Sequence, residues 1–284
     1  MICYLPKTVK ELSSALACCT DHSRILAGGT DYIIQSRKAQ FEPDILICLS
    51  AADWMRKITY TEKDVYIGAA VTMAEIAHSK LLRSLFGALS YAAANVGSPQ
   101  IRNKGTIGGN LCNASPAGDM LPVCLLFNAG VEVLDSNGAV TLIPASDFFL
   151  GPKKNCLQTG QAVIGIRLDR DHWEGFRSSF QKIGSRSYVS IARESLGVAV
   201  RLSARGVIED ARITLGAVAP VPIRVKEAEE MMLGKKLDNA LIREITPLIA
   251  DTIYKSCRPA NRLYKVEAAK GLVADAFGVL LSDD

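Results

Sequence analysis

Residues 24–32, RILAGGTDY, run from a short apolar segment through two adjacent glycines into Thr-Asp, and then into DYIIQSRK, which reads as the first turns of a helix. A glycine pair lets the backbone take dihedrals that side chains forbid, and it lets a bulky anion approach main-chain amides closely. A helix that starts directly after such a turn presents unpaired N–H groups, and Thr30 and Asp31 are residue types that cap helices. A second glycine pair lies in NKGTIGGN, residues 103–110. Neither stretch is the G-x-G-x-x-G of a dinucleotide fold or the G-x-x-x-x-G-K-[ST] of a nucleoside triphosphatase, and the lysine that would reach a terminal phosphate is missing. Each pair alone is more simply read as a plain tight turn. Together they point to one ligand, because Thr106 and Asn110 can bond phosphate or sugar oxygens. Asp119, soon after, can accept from a ribose hydroxyl or a base amine. A dinucleotide with a pyrophosphate and two polar ends fits such a pair.

The bulk properties limit the alternatives. A chain of 284 residues has room for two or three domains of ordinary size. Being 49% hydrophobic and 22% charged, it has the makeup of a globular protein rather than a disordered one. A net charge of +4 without a Lys/Arg cluster gives little ground for nucleic acid as a partner. No apolar run approaches the roughly eighteen residues of a membrane span, and MICYLPKTVKEL lacks the pattern of a secretory signal, so a cytoplasmic protein is expected. None of the eight cysteines forms a C-x-x-C pair. Most sit among apolar neighbours, as in LICLS and LPVCLLF, and read as reduced core residues; Cys112, directly after a glycine pair, is the one to watch. His22, His78 and His172 stand apart as surface or packing residues, Trp54 and Trp173 read as packing residues, and no G-x-S-x-G elbow occurs.

Along the chain, Thr8-x-x-Glu11 fits a capping box opening a helix through ELSSALACC, and RILAG follows as a strand. DILICLS and VYIGAAV read as strands, with Pro43 helping to end the short helix begun at Thr30. Thr72-x-x-Glu75 opens a longer helical region reaching LSYAAANVG, with Gly97 as its stop. SPAGDMLPVCLLFNA reads as a helix with Pro122 in its first turn. VEVLD and AVTLIP flank the hairpin signal Ser136-Asn137-Gly138, and AVIGIRLD is a further strand. From about residue 175 the texture changes. FRSSFQKIG, LGVAVRL and ARITLGAV read as strands, with a turn at Ala204-Arg205-Gly206, and RVKEAEEMMLG, NALIREITPLIADTIY and RLYKVEAAKGLVADAFGVLL as closing helices. A sheet backed by a terminal helical group is an α+β unit.

AGGTD at residues 27–31 and GSPQIRNKGTIGGNLCNASPAGDMLPV at residues 97–123 resemble the paired flavin-binding signatures of the FAD subunit of molybdenum hydroxylases, the group of xanthine, carbon monoxide and nicotinate dehydrogenases. The resemblance spans essentially the whole chain. It implies an α+β fold: a two-part FAD-binding domain of the PCMH (vanillyl-alcohol oxidase-like) type, residues 1–55 and 56–170, then a C-terminal α+β domain, residues 171–284, with a sheet and terminal helices. It also implies that Ile25, Leu26, Ala27, Gly28, Gly29, Thr30, Asp31 and Tyr32 wrap the FAD pyrophosphate, the amides of residues 27–30 being the main donors. Thr106, Gly109 and Asn110 would form a second clamp, and Asp119 matches an acidic FAD-contacting position. Val96 falls where some members carry an aromatic residue against the cofactor. Ile164 and Lys182 fall near two more contacts, Lys182 only after a one-residue shift. At the pyrimidine end of the flavin Lys182 would stabilise the anionic reduced form; the plainer reading is a surface lysine.

By the same resemblance, a molybdopterin-binding large subunit oxidises the substrate and an iron–sulfur small subunit carries the electrons to FAD in a heterotrimeric complex. The flavin hands them to NAD or another acceptor, so this chain is the final relay. A free-standing FAD-dependent oxidase or reductase on the same fold is the alternative, and a nucleotide-binding module without redox chemistry a third. The lack of an evident acid–base constellation in the sequence favours the relay, since the redox chemistry belongs to the cofactor.

Overall fold

A computed structural model describes residues 1–186 and 189–282. The chain forms two compact units that share its middle part in alternation. Met1–Glu75, Pro99–Ala114 and Asn128–Asp171 make the first; Ile76–Ser98, Ser115–Phe127 and His172–Asp284 make the second. The boundary between residues 114 and 115 therefore divides the long glycine-containing signature.

The first unit opens with a three-stranded parallel sheet in the order Ile2–Tyr4, Ile45–Cys48, Arg24–Leu26, with helices Val9–Ala17 and Tyr32–Ala39 between successive strands. Parallel neighbours need such crossovers. Thr8 caps the first helix by accepting from the Glu11 amide at 3.2 Å, and Glu11 returns a bond to the Lys7 amide at 2.7 Å. A second, antiparallel sheet runs in the order Ile58–Tyr60, Asp64–Gly68, Gln161–Asp169, Gly130–Asp135, Val140–Pro144. The expected hairpin joins its last two strands, with Gly138 at φ +84° and Asp135 Oδ1 accepting from the amides of Asn137 and Ala139. The strand Gln161–Asp169 carries a bulge between Val163 and Gly165, which leaves Ile164 out of the ladder.

The second unit is built on a four-stranded antiparallel sheet, Phe176–Gly184, Ala192–Leu202, Ile208–Gly216 and Ile223–Arg224. Both faces of its inner strand Ala192–Leu202 are covered, which accounts for an almost unbroken run of buried residues where one solvated face would give alternation. Leu196, Val198 and Val200 join the core of the closing helices Asn239–Ser256 and Pro259–Ser282. Gly197, on the other face, lies against Leu126 of the helix Met120–Leu126, and Ser178 accepts from the Ala88 amide of the helix Gly87–Ala94. Among the described residues no helix is long and apolar enough to cross a membrane.

Three expectations need correction. The helical region from Thr72 to Gly97 is three helices, Met73–His78, Lys80–Leu85 and Gly87–Ala94. Ser79 takes extended dihedrals and caps the Leu82 amide, while Phe86, at φ −134° and ψ 58°, breaks the second junction. The second glycine pair is no loop, since Gly108 and Gly109 form the first turn of a helix, Ile107–Asn113, that precedes Met120–Leu126. Of the eight cysteines only Cys124 and Cys257 are buried residues, and Cys3 and Cys18 are exposed; short apolar neighbourhoods did not fix which face of each element they occupy.

Glu194 is fully buried opposite Ile183, and neither carboxylate oxygen has a hydrogen-bond partner among the described residues. Burial pushes its carboxyl up to about 7, against a partial counter-effect of Lys265, whose ammonium bonds the Ala217 carbonyl. A folded pKa above the unfolded 4.5 means that stability from this group is complete at low pH and is lost as pH rises toward 7. Glu194→Gln is therefore expected to be more stable than the parent at pH 8, by on the order of 1–3 kcal/mol. In chemical denaturation at several pH values that advantage shrinks as pH falls toward 5.

Candidate functional site

In the first unit the strand Arg24–Leu26 delivers the chain to the glycine turn, and the helix Tyr32–Ala39 leaves it. Gly29 sits at φ +71°, a conformation glycine takes without strain. Gly28 is there for a different reason: a Cβ on it would fall 1.7 Å from the Lys104 carbonyl oxygen and 3.2 Å from the Gly105 nitrogen. The second motif thus lies directly against the first, and Gly105 in turn faces the Thr30 hydroxyl. Residues 25–32 are all half-buried. The amides of Gly28, Gly29 and Thr30 donate to no other group among the described residues. Asp31 departs from expectation: it occupies the N-cap position but its carboxylate does not cap, accepting instead from Gln35 and lying 3.5 Å from Lys153 Nζ.

The second motif hangs from a short backbone ladder. The amides of Ile107 and Gly108 donate to the carbonyls of Val71 and Ala69 at 3.0 and 2.9 Å, and the Met73 amide donates to Gly105 at 2.9 Å. Ala69 is held by its amide to the Ile164 carbonyl at 2.8 Å, which also accepts from the Tyr66 hydroxyl at 2.8 Å. Ile164 therefore enters the site as the bulged anchor of this ladder. Gly108 has no room for a side chain, since its Cβ would meet that of Ala69 at 2.6 Å; a Cβ at Gly109 would lie 3.0 Å from Thr106 Oγ1. Thr106 caps the helix by accepting from the Gly109 amide at 3.1 Å and keeps its hydroxyl proton to donate. Asn110 Oδ1 is buried without a partner among the described residues. The Cys112 thiol is pushed up to about 12 by burial and stays protonated at neutral pH.

The second unit holds the other candidate residues. Lys182 is not a surface lysine: its side chain is 13% exposed, and its ammonium donates to Asp119 Oδ2 at 2.6 Å and to the Asn95 carbonyl at 2.7 Å. That carbonyl belongs to the residue before Val96, which precedes Gly97 at φ +50°. Asp119 thus spends one oxygen on Lys182, and its Oδ1 is buried without a partner among the described residues. Nothing local in the sequence announced this pairing. Burial pushes the Asp119 carboxyl up to about 6, with Lys182 working the other way. Since the folded value exceeds the unfolded 3.8, the stability this group contributes is full at low pH and lost as pH rises to about 6. A carboxyl-labelled NMR titration is expected to place the Asp119 midpoint near 6, and Lys182→Met to move it higher. A midpoint below 4 in the parent would contradict this.

Unpartnered amides, a hydroxyl proton and a partnerless carboxamide oxygen are a donor and acceptor set suited to phosphate oxygens and sugar hydroxyls. A family model described as the FAD binding domain in molybdopterin dehydrogenase matches residues 1–169, and the CO dehydrogenase flavoprotein C-terminal domain matches residues 179–279. The nicotinate dehydrogenase FAD-subunit of Eubacterium barkeri is 33% identical over 96% of this chain and 94% of its own length. The carbon monoxide dehydrogenase medium chain of Hydrogenophaga pseudoflava is 27% identical over 96% and 94%. A solved carbon monoxide dehydrogenase structure from the latter organism superposes with a TM-score of 0.86 at 27% identity, covering 98% of this chain and 96% of that one. FAD is the cofactor these matches assign, and the chain belongs to the FAD-binding subunits of the molybdenum hydroxylase family of oxidoreductases.

Proposed function

We propose that this chain is the electron outlet of a molybdenum hydroxylase complex. It would receive electrons from the iron–sulfur clusters of a small subunit, which a molybdopterin-binding large subunit supplies, and pass them through FAD to NAD or another acceptor. When bound, FAD supplies redox chemistry that couples single-electron carriers to a two-electron acceptor. The chain's own residues bind and orient. The amides of Gly28, Gly29 and Thr30 donate to the pyrophosphate, the Thr106 hydroxyl donates to a phosphate or sugar oxygen, and Asn110 accepts from a cofactor donor. Gly109 leaves open the approach to that helix turn. Asp119 and Lys182 hold each other at a position the family uses for cofactor contact.

The observation that carries this reading is the contact at Gly28, which brings two motifs far apart in sequence into one cradle, where the amides of Gly28, Gly29 and Thr30 and Asn110 Oδ1 have no protein partner among the described residues. The relatives named FAD-subunit and medium chain support the partnership, because those names describe one chain among several. The test is to mix the FAD-loaded chain with reduced iron–sulfur subunit and follow the oxidised flavin absorbance, then add NAD. Loss of the flavin band followed by its return is expected. Gly109→Val should keep the fold with a somewhat lowered melt, since its Cβ crowds Thr106 Oγ1, yet bind FAD at least about tenfold more weakly, because the valine fills space at the turn. A flavin band that the reduced partner leaves untouched would rule out the relay.

A further inference from the structure

We propose that Lys153 is a positioning residue for the cofactor. It cancels the charge of Asp31 and ties that residue to the helix of the second glycine motif, so that the pyrophosphate meets a turn without a bare carboxylate. The inference rests on the reading that the pyrophosphate lies on the turn before Asp31.

Asp31 follows that turn immediately, and its carboxylate does not cap the helix that begins there. A free carboxylate beside a dianionic pyrophosphate is a like-charge contact that weakens binding. Gln35 bonds Asp31 but is neutral. Lys153 Nζ, 3.5 Å from Asp31 Oδ2, donates at the same time to Asn113 Oδ1 at 2.8 Å. Asn113 is the last residue of the helix that begins at the Thr106 cap.

The backbone around Lys153 is committed to this placement. Lys153 sits at φ +61°, which side-chain-bearing residues rarely adopt, and its amide donates at 2.9 Å to the carbonyl of Ala114, itself at φ +43°. Two such residues bonded to each other persist only where the surroundings over-determine them. The same hairpin, Phe149–Gly151 with Lys154–Asn155, makes another bond to that helix end, from Asn155 Nδ2 to the Cys112 carbonyl at 2.8 Å. The hairpin therefore closes the C-terminal end of the second motif's helix and from there sends one cation across to the first motif.

The test is a set of full-length variants stripped of flavin and titrated with FAD, following flavin fluorescence at low and high salt, with thermal melts of each apoprotein. Lys153→Met is expected to weaken FAD binding on the order of tenfold at low ionic strength, and less at high salt. Lys153→Arg should stay close to the parent. The decisive variant is Asp31→Asn combined with Lys153→Met, which should bind within a few-fold of Asp31→Asn alone, because no charge is left to cancel. Unchanged affinity in Lys153→Met, or an equal loss whether Asp31 or Asn stands at position 31, would overturn the proposal. A parent chain that takes up no FAD would instead strike the reading on which it rests.

Discussion

Where Gly28 passes the Lys104 carbonyl there is space for a hydrogen and nothing larger. That single close approach sets the geometry of the first unit's candidate site, because it fixes the turn leaving a parallel strand against the segment that enters the second glycine motif. The rest supports it from both sides. The parallel sheet holds the turn through the pairing of Arg24–Leu26 with Ile45–Cys48. The ladder from Ile164 through Ala69 to Gly108 holds the second motif, and Gly108 lacks a side chain for the same steric reason as Gly28. Glycine here buys proximity more than unusual dihedrals; of the two pairs only Gly29 has a positive φ.

Among the carboxylates that face lysines, Asp31, Asp119 and Glu194 have surroundings that give them different tasks. Asp31 and Lys153 are both about half exposed, so their attraction adds little to stability, as is usual for surface pairs. Its value lies in the charge it removes from the turn. Asp119 is buried and Lys182 largely so, and one Asp119 oxygen is left over among the described residues, so the pair is tense by itself and open to a further donor. Glu194 is buried with neither oxygen bonded among the described residues, and burial raises its carboxyl pKa.

Much of this was legible locally. The Thr8 cap formed, with Glu11 reaching the Lys7 amide rather than that of Thr8, and the Thr72 box formed in full, with Glu75 Oε2 accepting from the Thr72 amide at 2.7 Å, because such motifs need only neighbours a few residues apart. The Asn137-Gly138 hairpin and the sheet with terminal helices followed from turn chemistry and apolar patterning. What failed depended on distant chain. Asn95, Asp119 and Lys182 meet through packing across many intervening residues, so Lys182 looked like a surface residue from its own strand. Lys153 gave no signal at all, since neither its positive φ nor its partners Asp31 and Asn113 are written near it. The breaks at Ser79 and Phe86 went unseen because the residues around them are ordinary helix formers.

The central claim, that two sequence-distant glycine motifs act as one FAD cradle, is most directly tested by amide hydrogen exchange of the full chain with and without FAD. Peptides covering residues 27–31 and 105–110 should both slow on adding the cofactor, and by similar factors, because one ligand bridges them. Protection confined to one of the two stretches, with FAD demonstrably bound, would contradict the shared cradle.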